Sequence, residues 1–141
     1  MSLATVGPDG PHAANLFYAR DGFALLWVSD RTSRHSLHVE QGSRVAATVA
    51  PDCSDFQQAR GLQILGHAHR MTDTGERAKA RSCLETRYPF LRMAAEAPQE
   101  VRDAYGRADL YRLEPVRLVM IDNSRGFAVK ETLDLVKATL G

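Results

Sequence analysis

The chain has 141 residues, 44% of them apolar and 25% charged, which is the size and composition of one globular domain with its own core. A formal net charge of +1 gives nucleic acid or an anionic membrane surface nothing to attract, and no apolar run approaches a membrane span. The opening Met-Ser-Leu-Ala-Thr-Val lacks the basic and apolar regions of a signal peptide. Cys53 and Cys83 lie outside any CxxC pattern, as expected of free thiols in a reducing, cytoplasmic setting.

Residues 2–6 read as a short strand, and Gly7-Pro8-Asp9-Gly10 supplies turn chemistry, because Pro presets φ and Gly permits positive φ. Residues 12–20 form a second strand, and Asp21-Gly22 is a two-residue hairpin link. The return strand, 23–29, is almost entirely apolar, which predicts burial on both faces, as in a barrel wall or a dimer interface. Ser33 as N-cap and Gly42 as C′ residue bracket a helix over 33–41. Residues 44–50 are a strand closed by Pro51, and 52–59 a polar loop. Residues 61–70 alternate, with Leu62, Ile64 and Ala68 on one face and Gln63, Leu65, His67 and His69 on the other.

Asp73 and Glu76 resemble a capping box at the start of a helix over 74–87, which Pro89 ends. Pro98 opens a helix over 98–105. Residues 110–113 and 116–121 are two strands, or one strand bent at Pro115. Leu133, Val136 and Leu140 share one helical face and predict an amphipathic helix over 130–140. Tight links make the early strands antiparallel, so the order predicts one mainly β domain, a small barrel with peripheral α-helices.

Hydroxyls and cations gather where the third strand hands over to the first helix: Ser29, Arg31, Thr32, Ser33, Arg34 and His35. A helix N-terminus presents unpaired N–H groups and partial positive charge, which suits a phosphate; a capped helix with a solvated first turn needs the same residues. His67 and His69, two apart on one strand, have the spacing of a two-ligand metal clip, but no third ligand is placed to complete it, and no metal is expected. No hydrolase triad, P-loop or dinucleotide fingerprint is present.

Asn15-Leu-Phe-Tyr18, Ser33-Arg-His35, Arg60-Gly-Leu-Gln63 with Gly66, Arg87-Tyr-Pro-Phe90, and Asp122-Asn123 with Gly126-Phe127, taken in this order, resemble the pyridoxamine 5′-phosphate oxidase-like FMN-binding split barrels, closest to the YhbP-like branch. The resemblance spans roughly residues 2–127. It implies a six-stranded antiparallel split barrel forming a homodimer, with FMN in a groove between subunits and flavin-dependent oxidoreductase activity on a small molecule. It places Ser33, Arg34 and His35 at the phosphate, with Asn15, Trp27, Ser29 and Gln63 near the ribityl chain or ring. For Asn15, Trp27 and Gln63 the alternatives are a satisfied backbone neighbour, a core position and solvent. Flavin-binding branches carry a Lys where this chain has His35, and residues 23–29 lack a further cation, so the grip is expected to be weaker and to strengthen at lower pH. Relatives of this kind usually begin with a helix, whereas these residues begin in the strand. The alternative function is a non-enzymatic split barrel without flavin, binding haem, which some split barrels hold through a histidine, or a protein partner.

Overall fold

The computed structural model describes residues 1–135, the side chain of Ala95 excepted. Eight strands make one antiparallel sheet: β1 Ser2–Gly7, β2 Gly10–Asn15, β3 Ala19–Asp21, β4 Ala24–Asp30, β5 Arg44–Val49, β6 Arg60–Arg70, β7 Ala108–Asp122 and β8 Lys130–Asp134. The helices are α1 Arg34–Gln41, α2 Thr74–Arg87 and α3 Gln99–Arg107, with 3₁₀ turns at Phe56–Gln58, Pro89–Glu96 and Asn123–Arg125. Strand order is β2-β1-β5-β6-β7-β4-β3, and β8 pairs with β7 beyond the end of β4. No ladder joins β2 to β3 among the described residues, so the barrel is split open along that edge.

Among the described residues the strand count is eight where six were expected, for two local reasons. The single strand expected over 12–20 breaks at 16–18, leaving β2 and the three-residue β3. Lys130–Asp134, expected to be helical, is strand β8, in register with Arg117–Ile121 of β7. The unpaired flank of β7 offers backbone partners there, and such partners override a weak helical pattern. The rest of that expected helix, 136–140, lies outside the described residues. The alternatives at Pro115 resolve to one continuous strand, β7, with a register shift opposite Leu65 and Gly66. Gly42 ends α1 with φ −161°, an extended conformation rather than the left-handed one of a C′ glycine.

Two clusters hold the fold. Leu3, Leu25, Trp27, Val45, Ile64, Tyr111 and Leu113 fill the barrel. On the other face of β4, Leu26 packs with Leu110, Met71, Ala80 and Leu84 under α2. Ala24 to Trp27 are thus buried on both faces inside one chain, as in a barrel wall, whereas Phe23 at the start of the expected run is exposed. Asp73 caps α2 as expected, accepting from the Glu76 N–H at 2.8 Å.

Buried Asp109 on β7 ties α2 to β6 through Arg77 and Arg70. Burial alone would raise its carboxyl pKa; the Arg77 bond, the Leu110 N–H and Arg70 outweigh that and hold it below the ordinary carboxylate value. Among the described residues, no helix is long and apolar enough to cross a membrane.

Candidate functional site

The turn after β4 brings Ser29, Ser33 and His35 together. Asp30 organises that turn by accepting from the Thr32 N–H and hydroxyl, and its own carbonyl accepts from the Ser33 N–H. Ser33 takes the N-cap position with extended φ/ψ, but its hydroxyl makes no cap hydrogen bond. It lies instead 3.3 Å from Ser29 Oγ and 3.1 Å from His35 Nε2, and donates to Ser36 Oγ at 2.9 Å. Ser29 Oγ is also 2.6 Å from His35 Nε2. No side chain among the described residues bonds the N–H groups of Arg34, His35 and Ser36. Those donors, two hydroxyls and the positive end of α1 converge on one point, which is the equipment of a phosphate seat.

The charge of that seat is lower than the sequence suggested. Arg34 turns to the β1–β2 turn and pairs with Asp9 at 2.8 Å. His35 is buried, and burial first, then the neighbouring His12 and His38, hold its pKa below the ordinary imidazole value. At neutral pH the His35 ring is therefore uncharged and joins the seat as a hydrogen-bonding group.

This depression carries a pH dependence of stability. Above the unfolded-state value of about 6.5, neither state protonates His35; below it, the unfolded chain takes up a proton that the folded chain resists. Stability contributed by the neutral ring is present above about pH 6.5 and is lost as pH falls toward the lowered folded value. His35→Gln is expected to flatten the decline in urea midpoint between about pH 7 and pH 5. An unchanged slope would show that His35 titrates alike in both states.

The other predicted residues lie elsewhere. Trp27 is fully buried and stacked on Tyr111, centroids 5.5 Å apart, so it cannot lie along a flavin ring; the core alternative holds. Asn15 and Gln63 are exposed on the solvent face of the sheet, in one cross-strand row: Asn15 opposite Ser2, Ser2 opposite Thr48, Thr48 opposite Gln63. Their neighbours in sequence or register, Leu3 and Ile64, point inward. The sheet therefore separates Asn15 and Gln63 from His35, which packs against its inner side through His12. Arg60 pairs with Asp122 at 3.2 Å.

Sequence reasoning missed an imidazole cluster beside the seat. His12 of β2 stacks on His35 at 6.2 Å and meets His38 edge-on at 6.1 Å. His38 is buried, with Nδ1 3.0 Å from Thr5 Oγ1 and Nε2 3.1 Å from Asp9 Oδ1. The i, i+3 spacing of His35 and His38 on α1 was a legible signal for a shared helix face; the contribution of His12 from β2 had none.

This fold and site have relatives. A family model for pyridoxamine 5′-phosphate oxidase matches residues 1–120. The chain belongs to the pyridoxamine 5′-phosphate oxidase family. A UPF0306 protein of Serratia proteamaculans, from the YhbP-like group, is 32% identical over 120 residues, covering 83% of this chain and 74% of that protein. Among solved structures, a haem-binding protein from Mycobacterium smegmatis superposes with a TM-score of 0.72 at 17% identity over 94% of this chain, which spans about half, 51%, of that protein's length. HutZ, the haem storage protein of Vibrio cholerae, superposes with a TM-score of 0.65 at 17% identity, covering 81% of this chain and 79% of HutZ. Haem-binding proteins thus share this mainly β antiparallel fold.

Proposed function

We propose that this chain is a homodimeric, cytoplasmic FMN-binding oxidoreductase whose flavin phosphate sits at the start of α1. The observation that carries this reading is the uncapped N-terminus of α1 beside the hydroxyls of Ser29 and Ser33. The residues fit the phosphate end of the cofactor. They do not fit its ring end within one chain, because Trp27 is sealed in the core and Asn15 and Gln63 lie across the sheet. A second copy is needed to supply a wall for the ring. Bound flavin would supply the two-electron chemistry; Ser29, Ser33 and the α1 N–H groups would hold and orient it. The free thiols Cys53 and Cys83 accord with a reducing compartment.

The test is an absorbance spectrum after adding FMN and removing the excess. A retained flavin band is expected at about pH 7.5, stronger at an acidic pH near the lowered His35 value, because protonating His35 adds the missing positive charge. His35→Lys, which installs that charge at every physiological pH, is expected to tighten FMN about tenfold at neutral pH and to flatten the pH dependence. No retained band in either protein at either pH would overturn the reading.

One feature favours haem as a second reading. His67 lines a concavity of about 680 Å³ on the solvent face, walled by Ala4, Val6, Ala46 and Leu65 with Arg44 beside it. Its Nδ1 lies 3.1 Å from Ser43 Oγ, an arrangement that leaves Nε2 for a metal. A Soret band after adding haemin, lost in His67→Ala, would select this reading.

A further inference from the structure

The end of the barrel away from α1 carries a second groove, and it is built for an anion. We infer that Arg87, Asn15 and Thr48 form a binding site for a small organic anion with an apolar body, independent of the flavin reading. The groove holds about 580 Å³ and is also lined by Tyr18, Val49 and Pro51. α1 packs over the far half of β1, where Thr5 meets His38, whereas the groove uses Ser2 and the last residue of β2.

Arg87 is the last residue of α2, where the helix dipole favours a cation. Its guanidinium carbon lies 4.3 Å from the centre of the Tyr18 ring and 5.5 Å from that of Tyr88, so the group rests against two aromatic rings. Among the described residues no carboxylate pairs with Arg87, and the groove lining contains no acidic side chain. Asn15 adds donors of a defined kind. Its Oδ1 accepts from Ser2 Oγ at 2.5 Å, so its amide N–H groups remain for a ligand. Exposed Thr48 lies opposite Ser2 and adds a hydroxyl. A guanidinium held against two rings, an amide and a hydroxyl with no opposing charge select a carboxylate or a phosphate. Val49 and Pro51 offer apolar contact to the body of the ligand behind its head group.

The test is a titration of the full chain, without flavin, by ¹H–¹⁵N NMR with benzoate, phenyl phosphate and benzamide. Saturable shifts of the Asn15 side-chain amide and the Arg87 Nε–H are expected with at least one of the two anions, and not with neutral benzamide. The tighter anion identifies the head group as carboxylate or phosphate ester. Arg87→Gln is expected to weaken the response at least about tenfold, and Arg87→Lys to retain part of it. The position is exposed, so both variants should fold, which the amide spectrum itself reports. An equal response to benzamide, an unaltered affinity in Arg87→Gln, or silence with both anions would overturn the site. Shifts confined to the amides of residues 33–36 would also overturn it while supporting the phosphate seat at α1, so the two readings fail separately.

Discussion

Trp27→Ala is expected to lower the free energy of unfolding by about 4 kcal/mol, the largest loss from any single truncation in this chain. Trp27 has no solvent exposure, lies directly opposite Tyr111 across the β4–β7 ladder, and stacks on that ring at 15°. Strand β4 is enclosed by the barrel core on one face and by α2 on the other, so the walls around a deleted indole cannot collapse inward cheaply. Trp27→Phe is expected to cost far less, about 1 kcal/mol, because it keeps an aromatic ring and the indole N–H has no hydrogen-bond partner among the described residues. Trp27 is the sole tryptophan, so its emission reports the transition: blue-shifted when folded, red-shifted on unfolding. Urea melts followed by emission and circular dichroism for the parent, and by circular dichroism for Trp27→Phe and Trp27→Ala, measure the differences. A loss below about 1 kcal/mol in Trp27→Ala would put the side chain at the surface and make it a candidate flavin contact again.

Gly66→Ala is expected to cost about 3 kcal/mol, through space rather than backbone conformation. A Cβ at this position would run into the carbonyl oxygen of Glu114 and come within 2.9 Å of Leu113 Cδ2 and 3.0 Å of the Glu114 carbonyl carbon. The close approach arises at the register shift, where Leu65 faces Arg117 and Gly66 faces Pro115. The backbone of the partner strand cannot rotate away as a side chain can, and moving it would strain the long β6–β7 ladder. Gly42→Ala is the control: nothing lies within 4 Å of a Cβ there and its φ is extended, so little change is expected. Equal urea midpoints for the two variants would show that the ladder accommodates a methyl group at Gly66.

Much of this was legible in the chain. The turn residues Gly7 to Gly10, the alternation of residues 61–70 and the cap at Asp73 are local signals, and β1, β6 and α2 obey them closely. The gathering of hydroxyls between β4 and α1 was equally legible, and Ser29, Ser33 and His35 do meet. The helical pattern after residue 130 misled because only the free flank of β7, nine to seventeen residues distant in sequence, made an extended conformation the more stable one.

What the sequence by itself determined is the class of the fold, its early hairpins and the hydroxyl-rich start of α1, since these depend on short-range periodicity and turn chemistry. Only the tertiary structure decided which chemistry-bearing residues share a face. It sealed Trp27 in the core, sent Arg34 to Asp9, added His12 and His38 to His35, and brought Arg87 from α2 onto Tyr18 beside Asn15. The physical reason is that a strand's periodicity tells which residues point together, whereas the element packed against each face, and the pKa that burial imposes there, depend on contacts between segments far apart in the chain.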